Sequence, residues 1–211
     1  MQEEIYKSPK KRGKIAVFLS GRGSNFLALS DAVQSSKINA DIALVFSNKK
    51  AAPGLLHARE MELETLYLRP KNFGSREAYD ERVAEEMKKR EIDLICLAGY
   101  MKILTPGLCR KFKNKIINIH PALLPSFPGL HVQQKAIDWG VMFSGATVHF
   151  VEAEVDMGPI IIQATVQVEQ DDTEETLSAR ILKEEHKIYP EAVRLYFEGR
   201  LEVRGRRVFI T

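Results

Sequence analysis

Apolar runs and helical stripes alternate along this chain. Lys14-Ile15-Ala16-Val17-Phe18-Leu19-Ser20 is a continuous apolar run, the pattern of a strand buried on both faces. A glycine turn, Gly21-Arg22-Gly23-Ser24-Asn25, follows it, and Phe26-Leu27-Ala28-Leu29 begins a helical period. Asp41–Ser47 predicts a second strand, Pro53 to Met61 a short helix and Glu64–Leu68 a third strand. A charged amphipathic helix opens at Ser75 and reaches Arg90, with Ser75 as N-cap and Ala78 at N3, so without a full capping box. Glu91–Gly99 predicts the fourth strand, and Pro106 suits the first turn of the helix after it.

The fifth strand is Ile116–His120, which runs into Pro121-Ala122-Leu123-Leu124-Pro125. Whether the Leu124–Pro125 bond is cis is a point for coordinates. Gln133–Trp139 then reads as a helix, with Ala146–Val151 and Ile160–Val168 as strands around the acidic loop Glu152–Pro159. Asp172 at N-cap and Glu175 at N3 predict the start of a long helix, with Leu177, Ile181 and Ile188 on its apolar stripe. Pro190 should kink or restart it, and Leu201–Ile210 reads as a terminal hairpin turning near Gly205. Such alternation predicts an α/β fold: a doubly wound, mostly parallel sheet, helices on both faces and a C-terminal β-hairpin.

Sheets of this kind bind ligands outside the carboxyl ends of their strands. Three polar segments fall there. The glycine turn can cradle an anion, because glycine lets the backbone approach and a helix start offers free N–H groups. It lacks the Gly-Lys-Ser/Thr ending of a nucleotide P-loop, and Phe26 stands where a dinucleotide fingerprint needs its third glycine. A single phosphate fits it better, although glycine in such turns also serves geometry alone. The second segment is the loop Tyr100–Leu104. The third is the pair Asn118 and His120, which share one strand face and could polarise a carbonyl and move a proton.

Composition narrows the function classes. Across 211 residues, 31 Lys and Arg against 28 Asp and Glu leave a net charge of +3, too little to imply nucleic acid. Basic clusters at both ends, Lys7–Arg12 and Arg204–Arg207, read as solvated tails without interleaved aromatic residues. There is no long apolar run for a membrane span and no secretory signal. The two cysteines, Cys96 and Cys109, suit neither a disulfide framework nor a metal set, which points to the cytoplasm. Met1 to Gly13 reads as a flexible basic leader and residues 14–211 as a single domain.

From about Lys14 to Phe209 the sequence resembles the phosphoribosylglycinamide formyltransferases, folate-dependent enzymes of purine synthesis. The resemblance is carried in order by Ser20-Gly21-Arg22-Gly23-Ser24-Asn25, Leu97–Leu104, Asn118-Ile119-His120-Pro121-Ala122-Leu123-Leu124-Pro125, Gly145–Val151 through Asp156-Met157-Gly158-Pro159, and Glu185-His186-Lys187-Ile188-Tyr189-Pro190. It implies that Gly23, Ser24 and Asn25 bind the substrate phosphate, that Asn118, His120 and Asp156 are catalytic, and that Glu185 holds glycinamide ribonucleotide. Arg76, Met101, Lys102, Ile103, Leu104 and Asn118 would contact 10-formyltetrahydrofolate, the co-substrate, and no metal is called for. Residues 14–105 would then be the phosphate-binding half and 106–211 the folate and catalytic half.

The implied chemistry is attack of the substrate amine on the formyl carbon. Asn118 would donate to the developing oxyanion, and His120 would carry a proton, held protonated by Asp156. His149 is either a second site histidine or a packing residue. Lys102 replaces a frequent arginine and Ala122 a common serine. The implied partners are small molecules, with neither nucleic acid nor membrane, and a homodimer stays open. The alternatives are a formyltetrahydrofolate hydrolase, which usually adds an N-terminal regulatory domain, and a methionyl-tRNA formyltransferase, which usually adds a C-terminal one. A non-catalytic nucleotide-binding module would explain the cradle but not the trio.

Overall fold

Strand β1 (Gly13–Leu19) sorts its side chains strictly between two cores. Ile15, Val17 and Leu19 enter one, and Ala16 and Phe18 enter the other, as period-two alternation requires when both faces are covered. The computed structural model describes residues 12–211. The leader expected over 1–13 lies outside the described residues as far as Lys11. Gly13 belongs to β1, and Arg12 ties its start down by donating to Asp41 Oδ1 at 2.8 Å and to the Ala40 carbonyl at 2.6 Å.

The elements continue as α1 (Ser24–Gln34), β2 (Ala40–Ser47), α2 (Pro53–Glu60), β3 (Thr65–Tyr67), α3 (Arg76–Lys89), β4 (Leu94–Leu97), α4 (Pro106–Lys111) and β5 (Ile116–His120). After these come α5 (Val132–Asp138), β6 (Phe143–Phe150), β7 (Ile160–Gln167), α6 (Glu174–Phe197), β8 (Leu201–Arg204) and β9 (Arg207–Ile210). The strands form one nine-stranded sheet in the order β3-β2-β1-β4-β5-β6-β7-β9-β8. β3, β2, β1, β4 and β5 are mutually parallel, so their carboxyl ends share one edge. β6 runs antiparallel to both β5 and β7, and the nine-residue link 151–159 between β6 and β7 carries no crossover helix. The core with Val17 is covered by α1, α2 and α6, and the core with Phe18 by α3 and α4. The expected architecture, a mostly parallel sheet between helices with a terminal antiparallel pair, is therefore present.

Local details differ from expectation. β4 is shorter than Glu91–Gly99, because Glu91 takes a left-handed φ of 55° to close α3. The N-cap of α6 is Thr173 rather than Asp172. Thr173 Oγ1 accepts from the Thr176 N–H, and Thr176 Oγ1 accepts from the Thr173 N–H, a reciprocal box one residue later than expected. Asp172 instead accepts from Thr176 Oγ1 at 2.7 Å and from Arg180. α6 passes through Pro190 without a break, which removes only the helical donor that would have met the His186 carbonyl. The hairpin turns at Gly205, whose φ is 60°, and Leu124–Pro125 is cis. Among the described residues no helix is long and apolar enough to cross a membrane.

Candidate active site

The carboxyl edge of β4 and β5 opens into a cleft of about 350 Å³. Met101–Leu104, Asn118, His120, His149 and Asp156 line it, so the loop after β4 and the end of β5 meet the acidic loop there. Asn118 is half-buried and its Cα partner across the β5–β6 ladder is His149; the partner of His120 is Thr147. Strand pairing therefore places His149 beside Asn118 on the cleft face.

Hydrogen bonds fix the ring states. His149 Nδ1 lies 2.8 Å from the Phe150 carbonyl, which can only accept, so Nδ1 carries a hydrogen. Asn118 Nδ2 lies 3.2 Å from His149 Nε2. His120 Nε2 donates to the Phe127 carbonyl at 2.9 Å, which turns Nδ1 toward Asp156 Oδ2, 3.5 Å away. Asp156 Oδ1 is 3.7 Å from His149 Nε2, and Oδ2 accepts from the Gly129 N–H at 2.9 Å. One carboxylate thus stands between two buried imidazoles.

Electrostatics correct one expectation. Burial pushes the His120 pKa below its ordinary value and outweighs the Phe127 carbonyl and Asp156, both of which raise it. The ring rests neutral near pH 7 rather than being held protonated by Asp156. Burial also pushes Asp156 upward, but His149, the Gly129 N–H and His120 together leave its pKa lowered, so it stays ionised.

At the end of β1, Gly23 takes a left-handed φ of 83° and leads directly into α1. A Cβ there would lie 3.0 Å from Gly54 Cα, so glycine is needed for both conformation and space. No side chain caps α1, and its first-turn N–H groups are the anion donors the turn offers. Asn25 points elsewhere. Its Nδ2 donates to Glu185 Oε2 at 2.7 Å, while its Oδ1 is buried without a protein partner. Burial raises the Glu185 pKa, and this hydrogen bond only partly offsets it. The turn and Glu185, far apart in sequence, are thereby joined.

Around the loop after β4, Met101 and Ile103 expose apolar side chains at the cleft, while Leu104 is buried. Arg76 Nη2 donates to the Ile103 carbonyl at 3.1 Å, and Lys102 Nζ lies 4.9 Å over the Tyr79 ring. A larger open groove of about 860 Å³ between α1 and α6 is lined by Ser24, Asp31, Lys37, His186, Glu191 and Arg194. Several contacts escape sequence reading. Ser20 Oγ accepts from the Met101 N–H at 2.8 Å and donates to Asn48 at 2.7 Å, coupling the end of β1 to the cleft loop. Thr147 Oγ1 donates to the Ala122 carbonyl and accepts from the Leu124 N–H, fixing the proline loop after His120. Only the placement of Thr147 opposite a strand end hints at this.

Comparison with known proteins agrees with the geometry. Residues 13–193 match the family described as formyl transferase. The chain belongs to the formyl transferase family. Phosphoribosylglycinamide formyltransferase from Haemophilus influenzae is 42% identical over 93% of both chains. A crystal structure of glycinamide ribonucleotide transformylase 1 from Symbiobacterium toebii superposes with a TM-score of 0.94 at 46% identity, covering 96% of this formyl transferase and 95% of that chain. The trifunctional purine biosynthetic protein adenosine-3 of Drosophila melanogaster is 44% identical over 90% of this chain, which spans only 14% of that protein's length. Among the described residues of this formyl transferase, no group of three or more His, Cys, Asp or Glu side chains is arranged to hold a metal.

Proposed function

We propose that this formyl transferase moves the formyl group of 10-formyltetrahydrofolate to the primary amine of glycinamide ribonucleotide, a step of purine biosynthesis. The observation that carries this reading is the convergence of Asn118, His120 and Asp156 in one cleft, at the sheet edge that also holds the backbone cradle. The folate supplies the formyl group and, at its nitrogen, the leaving group.

Asn118 Nδ2 turns from His149 to the formyl oxygen and stabilises it as it gains charge, an effect of roughly 3–4 kcal/mol for an oxyanion donor. His120 starts neutral and can accept a proton at Nδ1 from the attacking amine. Asp156 Oδ2 beside that nitrogen then stabilises the imidazolium, and His120 returns the proton to the departing folate nitrogen. One C–N bond forms, one breaks, and the proton count balances. Gly23, Ser24 and Asn25 hold the substrate phosphate through backbone N–H groups, and Glu185 holds the ribonucleotide. Arg76 and the loop Met101–Leu104 hold the folate, with Lys102 contributing backbone rather than its ammonium group.

The test is to mix the protein with 10-formyltetrahydrofolate, with and without glycinamide ribonucleotide, and follow loss of the formyl folate. Turnover that needs the amine is expected. Turnover without it would mean hydrolysis, and no turnover at all would leave a binding module.

A further inference from the structure

One face of α3 grips the cleft loop at every rung, and the grip includes residues with no role in the mechanism above. Arg76, Tyr79 and Asp80 stand at the i, i+3 and i+4 spacing of one helix face. Arg76 takes the Ile103 carbonyl, Tyr79 Oη lies 3.1 Å from Tyr100 Oη, and the Tyr79 ring carries Lys102 Nζ on its face. Asp80, only 2% exposed, accepts from the Thr105 N–H at 2.6 Å. Ser20 holds the Met101 N–H at the loop's other end. Between these two anchors, the N–H groups of Lys102, Ile103 and Leu104 have no hydrogen-bond partner among the described residues.

Asp80 is costly for a mere prop. Its Oδ1 is buried without a partner, and an incompletely bonded buried carboxylate is destabilising. Nor is it needed to start α4, because Thr105 Oγ1 already accepts from the Leu108 N–H at 3.4 Å. What Asp80 fixes is the path of the backbone from Met101 to Thr105.

We propose that Asp80, together with the Tyr79–Tyr100 hydroxyl pair, positions the loop's free backbone N–H groups against the fused heterocycle of the folate. They are positioning residues that set folate affinity without touching the reacting atoms. This inference rests on the folate reading of the cleft.

The experiment pairs steady-state kinetics with calorimetric titration of tetrahydrofolate, so that binding is read apart from turnover. Asp80→Ala should raise KM for 10-formyltetrahydrofolate, and Kd for tetrahydrofolate, by about tenfold, as the loss of one buried hydrogen bond predicts. KM for glycinamide ribonucleotide should stay within about twofold. Asp80→Asn keeps an acceptor for the Thr105 N–H and should recover most of the folate affinity. Equal shifts in both KM values, unchanged folate affinity, or no rescue by asparagine would overturn the proposal. Where Asp80→Ala does not fold, Tyr100→Phe decides: about threefold weaker folate binding supports it and wild-type binding overturns it. Wild-type protein that binds tetrahydrofolate but transfers nothing would sink the proposed reaction while leaving the Asp80 result readable. Wild-type protein that binds no folate overturns the Asp80 proposal as well.

Discussion

The cradle after β1 and the polar cluster after β5 occupy the same edge of the sheet and are built in opposite ways. The cradle is backbone: Gly23 in a left-handed conformation, an uncapped helix start, and Asn25 turned away toward Glu185. The cluster is side chain: Asn118, His149, Asp156 and His120 each contact the next, with His120 and His149 buried. A backbone site tolerates a change of side chain but not an added Cβ. A side-chain site fails at whichever member is removed. Binding a permanent anion needs fixed donors, whereas carrying a proton needs a group whose charge can change, and each construction suits the task proposed for it.

The largest effects should come from breaking the cluster. His120→Ala removes the proton carrier and should lower kcat by about 10²–10⁴, with both KM values changed far less. Asn118→Ala should lower kcat by about 10²–10³. Steady-state kinetics on both substrates checks this, and a kcat near wild type in either variant would break the division of roles proposed here.

The next effect is in pH. His120 must be neutral to take a proton, and burial holds its pKa below the ordinary 6.5, so kcat/KM should fall on the acid side within the range below pH 6.5. Asp156→Asn removes a group that raises the ring's pKa, so the acid limb should move to lower pH in that variant. Stability follows the same direction. The unfolded ring binds its proton at a higher pH than the folded one, so stability contributed by neutral His120 is present above 6.5 and is lost as pH falls below it. Asp156, also lowered, adds a second loss below its ordinary 3.8. The cradle's own donors are backbone N–H groups, which do not titrate in this range. A limb at higher pH for Asp156→Asn would reverse the assigned contribution of Asp156.

The two regions also differ in how readable they are in sequence. Both were placed at the right edge by apolar runs ending in polar residues, and the mostly parallel sheet followed from the alternation of runs and helices. The closure of the cluster was not readable. It depends on the Phe127 carbonyl and the Gly129 N–H, main-chain groups in a loop with left-handed φ at Phe127 and Gly129. Main-chain donors and acceptors are common to every residue, so nothing in residue type points to these two. The neutral state of His120 escaped for a similar reason: the carboxylate is visible in the sequence, but the burial that outweighs it is a property of the packed fold. His149 remained open between site and packing because a buried alternating strand presents histidine identically in both cases. The cap of α6 slipped by one residue because Asp172 and Thr173 are both good N-caps, and only the contact with Arg180 commits Asp172 elsewhere.

A Cβ sharpens the contrast from the other side. Gly23→Ala places a methyl 3.0 Å from Gly54 Cα and 3.3 Å from Leu19 Cδ2 in a backbone region unfavourable to L-residues. It should cost about 1–2 kcal/mol of stability and raise KM for glycinamide ribonucleotide by about tenfold, with kcat largely kept. Denaturant unfolding and kinetics together check it. An effect confined to folate KM would remove the phosphate from the cradle.

The smallest effect is expected where the two constructions meet. Glu185, proposed to hold the ribonucleotide, is a buried carboxyl whose pKa is raised, with Asn25 Nδ2 as its one hydrogen-bond donor within the protein among the described residues. If its work is to accept hydrogen bonds from Asn25 and the ribonucleotide, a neutral amide can do most of it, because glutamine keeps one acceptor oxygen at nearly the same place. Glu185→Gln should then raise KM for glycinamide ribonucleotide by only about threefold. Glu185→Ala strands the Asn25 amide beside its already unpaired Oδ1 and should raise it by about tenfold or more. Equal losses in the two variants would mean that the negative charge itself is required, and Glu185 would then belong with the titrating cluster rather than with the fixed cradle.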